Sequence, residues 1–253
     1  MGHVILLGDS IFDNAAYVRG GPDVVKQLQR KVPTNWRASL LAVDGAVTRG
    51  VLSQLNRVPK DATHLVVSAG GNDALGASHL LGQSVGSVAE AVSLLETAQS
   101  RFARDYEEMA DAVLARGLPT AFCTIYDTPP SSPDQRIIRT ALSVFNDIIT
   151  RVAFSRGADL IDLRLLCNED EDYANPIEPS VAGGGKIARA IAGNQSSGVG
   201  VSQLSCSTRR YSGWSRSQWL CQCQGPELSR PGSSNTACGS AVSAAGWWRS
   251  ALL

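Results

Sequence analysis

Across the first 194 positions, apolar residues alternate between short unbroken runs and longer stretches with helical spacing. Residues 4–7, Val-Ile-Leu-Leu, run straight into Gly8, Asp9 and Ser10, the pattern of a buried strand ending in a turn. A helix is predicted over 22–31, with Pro22 at the favoured first position. A second strand over 37–43 ends at Asp44-Gly45, and a helix over 48–58 is stopped by Pro59. Residues 64–69 read as a third strand, closed by Gly70-Gly71-Asn72-Asp73. A long helix over 88–116 places Val92, Leu95, Phe102, Tyr106, Met109 and Val113 on one face. A strand over 119–126, a Pro-rich loop over 128–133, a helix over 135–155, a strand over 158–163 and a helix over 180–192 complete the pattern. Strands spaced by helices require crossover connections, hence an α/β fold with a mostly parallel sheet covered on both faces. In such sheets ligands bind beyond the carboxyl ends of the strands.

The pattern fails after residue 194, which sets the expected domain at 1–194. Residues 195–253 hold one acidic residue, Glu227, no lysine, four of the six cysteines and four of the five tryptophans, with no sustained period. Three readings of this Ser/Gly/Cys/Trp-rich tail stand side by side. They are a small disulfide module, a metal site (although Cys221 and Cys223 are too closely spaced for a usual zinc pair), and a segment out of its normal reading frame.

Bulk properties narrow the function classes. A formal net charge of zero and a pI near 6.8 give no electrostatic footprint for a nucleic acid or an anionic membrane. No apolar run approaches the roughly 20 residues of a membrane span. The first residues show no secretion signal, and only Cys123 and Cys167 precede residue 195, so a cytoplasmic setting is expected. Nothing calls for a cofactor or a metal, and the oligomeric state is not encoded in any motif.

The predicted sheet brings three strand ends together: Gly8-Asp9-Ser10, Asp44-Gly45 and Gly70-Gly71-Asn72-Asp73. They offer a hydroxyl, an unobstructed backbone N–H and a carboxamide, the components of a nucleophile with an oxyanion hole. These blocks, with Ile177-Glu178-Pro179-Ser180-Val181-Ala182-Gly183 at the start of the last helix, resemble the GDSL, or SGNH, hydrolase family. The resemblance covers about residues 1–194. It implies a three-layer α/β/α sandwich with a parallel sheet of about five strands. It also implies hydrolysis of small-molecule esters, with Ser10 as nucleophile and Ser10, Gly45 and Asn72 as oxyanion donors.

The last block departs from the family pattern of Asp-x-x-His-Pro. Here the residues are Asn175-Pro176-Ile177-Glu178-Pro179, and shifting the register to begin at Asp172 puts Asn175 in the histidine position. His3 and His64 fall at the amino ends of strands, which leaves His79, six residues past Asp73, as the remaining imidazole. Glu178 is therefore the candidate base. A free carboxylate, with a pKa of about 4.3, is a weak base, but burial raises it. A carboxylate needs no partner to fix its tautomer, and an acid at position 175 would repel it, so Asn175 is expected to donate a hydrogen bond instead. The competing reading makes Glu178 only an acid favoured by the helix dipole. Asp9 and Asp73 are expected to brace their turns, Tyr126-Asp127 to line a pocket, and the acidic run 169–172 to be a solvated loop. Residues 82–87 and 128–134 are the expected rim. Three functions follow: a serine hydrolase of short acyl esters, a catalytically idle binding protein, or an acyltransferase on the same scaffold.

Overall fold

The computed structural model describes residues 1–196 of the 253. Five strands form a single parallel sheet in the order β2-β1-β3-β4-β5: β1 Gly2–Gly8, β2 Trp36–Leu40, β3 His64–Ser68, β4 Thr120–Cys123 and β5 Asp159–Ile161. Between them run α1 Val24–Gln29, α2 Gly50–Leu55, α3 Gly71–Ala77, α4 Val88–Leu114 and α5 Gln135–Ser155. After β5 come α6 Leu163–Leu166, a two-stranded antiparallel hairpin of β6 Tyr173–Asn175 and β7 Glu178–Pro179, and α7 Val181–Ser196.

The three layers follow from the period of two along each strand. In β1, Val4 and Leu6 point to one face, where they pack with Val24 and Leu28 of α1 and Ile187 and Ile191 of α7. Ile5 and Leu7 point to the other, against Val51 and Leu55 of α2, Tyr106 and Met109 of α4 and Ile149 of α5. Both faces of the central strands are thus dry, which is why they read as continuous apolar runs. The strand order reverses direction between β1 and β3, so the crevice for a ligand opens at the carboxyl ends of these two strands.

Several boundaries differ from expectation for local reasons. Helix α1 starts at Val24 because Asp23, not Pro22, caps it, its carboxylate accepting the Lys26 N–H at 2.8 Å. The residues Gly71-Asn72-Asp73, expected as a turn, are the first turn of α3. The run 169–172 was expected to be solvated, and Glu169, Asp170 and Glu171 are exposed, but Asp172 is only 1% exposed. The three readings of the C-terminal tail concern residues that, beyond Ser196, lie outside those described.

Candidate active site

The turn after β1 is built to present Ser10. Gly8 has a φ of +127°, and a Cβ there would stand 1.7 Å from the Ser68 carbonyl oxygen of β3, so no other residue fits. The buried Gln54 of α2 holds Gly8 at both backbone atoms, accepting from its N–H and donating to its carbonyl at 2.8 Å each. Asp9 donates its N–H to the Ser68 carbonyl, and its carboxylate accepts the Ile11 N–H, the bracing role expected of it. Ser10 is left 7% exposed, and its N–H donates to no acceptor among the described residues.

The neighbouring strand ends bring two more donors. Asn72, in the first turn of α3, donates one amide hydrogen to the Ala46 carbonyl at 3.0 Å and retains a second. Asp73 accepts both the N–H and the hydroxyl of Thr48 at 2.8 Å, which ties α3 to the loop that carries Gly45. Gly45 is exposed, and its N–H also donates to no acceptor among the described residues. Ser10 and Asn72 line one cavity of about 100 Å³, whereas Gly45 stands outside that lining.

Glu178 reaches the same cavity from the β6–β7 hairpin. Asn175 shapes its approach differently from expectation. Its side-chain oxygen accepts the N–H groups of Ile177 and Glu178, both at 2.9 Å, so it closes an Asx turn on the Glu178 backbone. The Tyr126 hydroxyl donates to the Ile177 carbonyl at 2.9 Å, and the Asn14 amide to the Pro179 carbonyl at 3.1 Å. Gly183 lets α7 close on the hairpin: a Cβ there would stand 2.1 Å from the Asp172 carbonyl oxygen. Neither Gln54 nor Asn14 has a sequence signal, since each is a polar residue whose partner is remote in the chain.

The Glu178 carboxyl is 4% exposed, and its Oε2 has no hydrogen-bond partner. Burial pushes its pKa from 4.5 up to about 8, opposed by the nearby Ser10 side chain, which favours the charged form. The negative charges of Asp44 and Asp9 push it further up. Asp9 itself is raised to about 7, chiefly by burial. Ser10 and Glu178, 168 residues apart in sequence, thus line one cavity, and burial raises the pKa of Glu178 in the direction a general base requires.

His79 does not join them. It is exposed, its Nδ1 lies 2.9 Å from the Gly76 carbonyl oxygen, and it faces a separate groove with Arg49 and Arg101. His3 is buried at the far end of β1, its Nε2 2.8 Å from the Ser39 hydroxyl, and His64 stacks on Trp36 there. Tyr126 and Asp127 line the cavity as expected. Of the expected rim, Thr128 contributes but none of residues 82–87 does. Among the described residues no group of three or more His, Cys, Asp or Glu side chains is placed to hold a metal.

The family model for GDSL-like lipases and acylhydrolases matches residues 6–184. No curated protein sequence matches the chain at a significant level. Among solved structures, the chain is similar to an extracellular lipase from Streptomyces rimosus, with 17% identity and a TM-score of 0.57, over 77% of this chain and 99% of that one. It is also similar to an acetyl xylan esterase, with 16% identity and a TM-score of 0.59, over 76% and 98%. A third is Est24, a carbohydrate acetylesterase from Sinorhizobium meliloti, with 10% identity and a TM-score of 0.56, over 78% and 99%. At these identities the likeness is one of fold.

Proposed function

The chain belongs to the GDSL-like lipase/acylhydrolase family and is a carboxylic ester hydrolase, and we propose that it works through Ser10 with Glu178 as the base in place of histidine. In this reading the ionised Glu178 carboxylate takes the Ser10 proton as Oγ attacks the ester carbonyl carbon. The carbonyl π electrons move onto oxygen, and that oxyanion is met by the free N–H groups of Ser10 and Gly45 and the second Asn72 amide hydrogen. Collapse restores the carbonyl and breaks the bond to the alcohol oxygen, which leaves with the proton held by Glu178. Water then repeats the sequence on acyl-Ser10, giving up a proton to Glu178, and Ser10 is regenerated with release of the acid. Gly45, outside the cavity lining, takes part through its backbone as the substrate seats. No cofactor enters any step.

The observation that carries this reading is a buried carboxyl that lines the same cavity as Ser10, with one oxygen unpartnered and a pKa raised to about 8. That value approaches imidazole behaviour, and it also means that only about one carboxyl in ten is ionised at pH 7. The same fact supports the second reading, an idle binding protein whose Glu178 stays protonated; an acyltransferase would use the same acyl-Ser10. A phosphonate that labels active serines separates the first two. We expect stoichiometric labelling of Ser10, faster at pH 9 than at pH 6, and none in Ser10→Ala; a wild-type protein that resists the probe at both pH values would support the idle scaffold. We place the enzyme in the cytoplasm, a reading supported by the buried, free thiols of Cys123 and Cys167. No helix among the described residues is long and apolar enough to cross a membrane.

A further inference from the structure

Helix α3 and the 3₁₀ turn Ser78–Gly82 that follows it separate two depressions. Gly71, Ala74, Leu75 and Ser78 line the Ser10 cavity, whereas Asp73, Gly76 and His79 line a groove on the other side, against α4. The groove has a volume of about 560 Å³, within the range of about 300–1,000 Å³ typical of small-ligand sites. Its floor is apolar, made by Ala77, Leu80, Leu94, Ala98, Phe102 and Phe145. Its charged groups are mainly basic. Arg49 precedes α2, Arg101 and Arg104 stand one turn apart on α4, and His79 belongs to the 3₁₀ turn, so three parts of the fold contribute. The three guanidinium groups have no hydrogen bond or ion pair among the described residues. The acids of the lining do not neutralise them. Asp73 is engaged by the N–H and hydroxyl of Thr48, and Asp105 offers one carboxylate against three guanidinium groups.

We infer that this groove binds an anionic amphiphile, and that the ester taken by the enzyme carries a carboxylate or phosphate beyond its reacting carbonyl. The first half stands on the groove alone, and the second rests on the ester-hydrolase reading of Ser10. Guanidinium groups present paired donors that match a carboxylate or phosphate, while the apolar floor takes the carbon skeleton attached to it. A neutral ligand would leave the guanidinium groups unused, and a cation would be repelled by them. The two depressions share Asn72, Ala77, Leu80, Ala98 and Phe145 in their linings. Asn72 also holds the amide hydrogen offered to the oxyanion. An ester whose carbonyl is met by Asn72 therefore has its far end within reach of the groove. The zero net charge of the chain conceals this local excess, because an average over all residues says nothing of where charge gathers.

Two measurements on the full-length protein test the two halves. The first is calorimetric binding of phenyl phosphate, with benzyl alcohol as neutral control, to wild type, Ser10→Ala and the double variant Arg101→Gln/Arg104→Gln. Wild type and Ser10→Ala are expected to bind phenyl phosphate alike, and the double variant about tenfold more weakly. The affinity of wild type should fall as NaCl is raised from about 0.05 to 0.5 M. Equal binding by the double variant, or benzyl alcohol binding as tightly as phenyl phosphate, overturns the anion site. The second is kcat/KM for two ester pairs, with spontaneous hydrolysis subtracted. The p-nitrophenyl monoester of adipate against p-nitrophenyl hexanoate puts the charge on the acyl side. The acetate ester of a carboxylated p-nitrophenol against p-nitrophenyl acetate puts it on the leaving alcohol. In one pair the anionic ester is expected to lose about tenfold in the double variant. Its neutral counterpart should stay within about twofold, which also reports an intact fold. The pair that responds identifies the charged side of the substrate. If both pairs scale equally in the double variant, the groove does not read the substrate and the second half falls while the hydrolase reading stands. If no ester is hydrolysed in a Ser10-dependent manner, the hydrolase reading fails, and phenyl phosphate binding alone decides whether the groove is an anion site.

Discussion

Two acids bracket the β6–β7 hairpin, and both are buried: Asp172 at 1% exposure and Glu178 at 4%. Their surroundings differ. One oxygen of Asp172 accepts the N–H groups of Asn168 and Glu169 at 3.0 and 3.1 Å and the Lys186 ammonium at 2.8 Å. Each acid has one buried oxygen with no partner, but among the described residues Glu178 has no cation and no N–H donor on its carboxylate, and it shares a cavity with Ser10. Burial of a charge is tolerated when it is paired and hydrogen-bonded, and otherwise the group takes up its proton more readily. Asp172 therefore acts as an anchor for the hairpin and α7, whose Ser180 donates its N–H to the Asp172 carbonyl at 2.8 Å. Glu178 is held in a state that strengthens it as a proton acceptor at a cost to the fold. The lesson is that depth of burial does not identify a reactive acid; the missing cation and N–H donors do.

The contrast can be broken in three ways. The largest effect is expected on activity: Glu178→Gln keeps the shape and removes the base, and should lower kcat by about 10³-fold with the protein still folded, read by ester hydrolysis. Retention of more than a tenth of the rate would put the base elsewhere. Next in size, Asp172→Ala should destabilise the protein by about 2–4 kcal/mol in urea unfolding, since it strands two backbone N–H groups and removes one of the two carboxylates paired with Lys186. If stability is unchanged, the anchor role is wrong. Smallest, Glu178→Gln should stabilise the fold by about 1–3 kcal/mol at pH 9. The folded-state pKa of Glu178 lies above the unfolded value, so its ionisation opposes folding. The penalty is absent below pH 4.5, grows as the pH rises and is complete above about 8, so the gain should vanish at pH 4. Equal gains at both pH values would remove the electrostatic cause.

These acids also show what the chain reveals before folding. The strand of β1 and the turn at Ser10 are legible because a buried parallel strand must be apolar throughout, and α5 is legible over Gln135–Ser155 because its apolar face repeats with the helix period. The hairpin is not. Its strands are three and two residues long, too short for any period, and it is fixed by bonds such as that from Asn14 to Pro179, 165 positions away. The run 169–172 looks solvated because sequence counts its four acids alike, whereas packing buries one of them against Lys186. Glu178 was identifiable as a candidate by position, but the orientation of Asn175, which accepts from its backbone, depends on a turn that composition does not encode. Gly70-Gly71-Asn72-Asp73 reads as a turn because glycine and asparagine favour one, yet it leads into α3.

The central claim is that Glu178 accepts the Ser10 proton, and the pH dependence of kcat/KM tests it most directly. Asp9, raised to about 7, titrates nearby, so wild type, Glu178→Gln and Asp9→Asn should be compared on one activated ester from pH 5 to 10, with spontaneous hydrolysis subtracted. Wild type should rise about tenfold per pH unit and level off near pH 8, where Glu178 is ionised. Asp9→Asn should keep the rise with its midpoint moved down, because a negative charge that holds Glu178 up is gone. Glu178→Gln should be flat and about 10³-fold lower. A rise with the same midpoint surviving in Glu178→Gln would contradict the account.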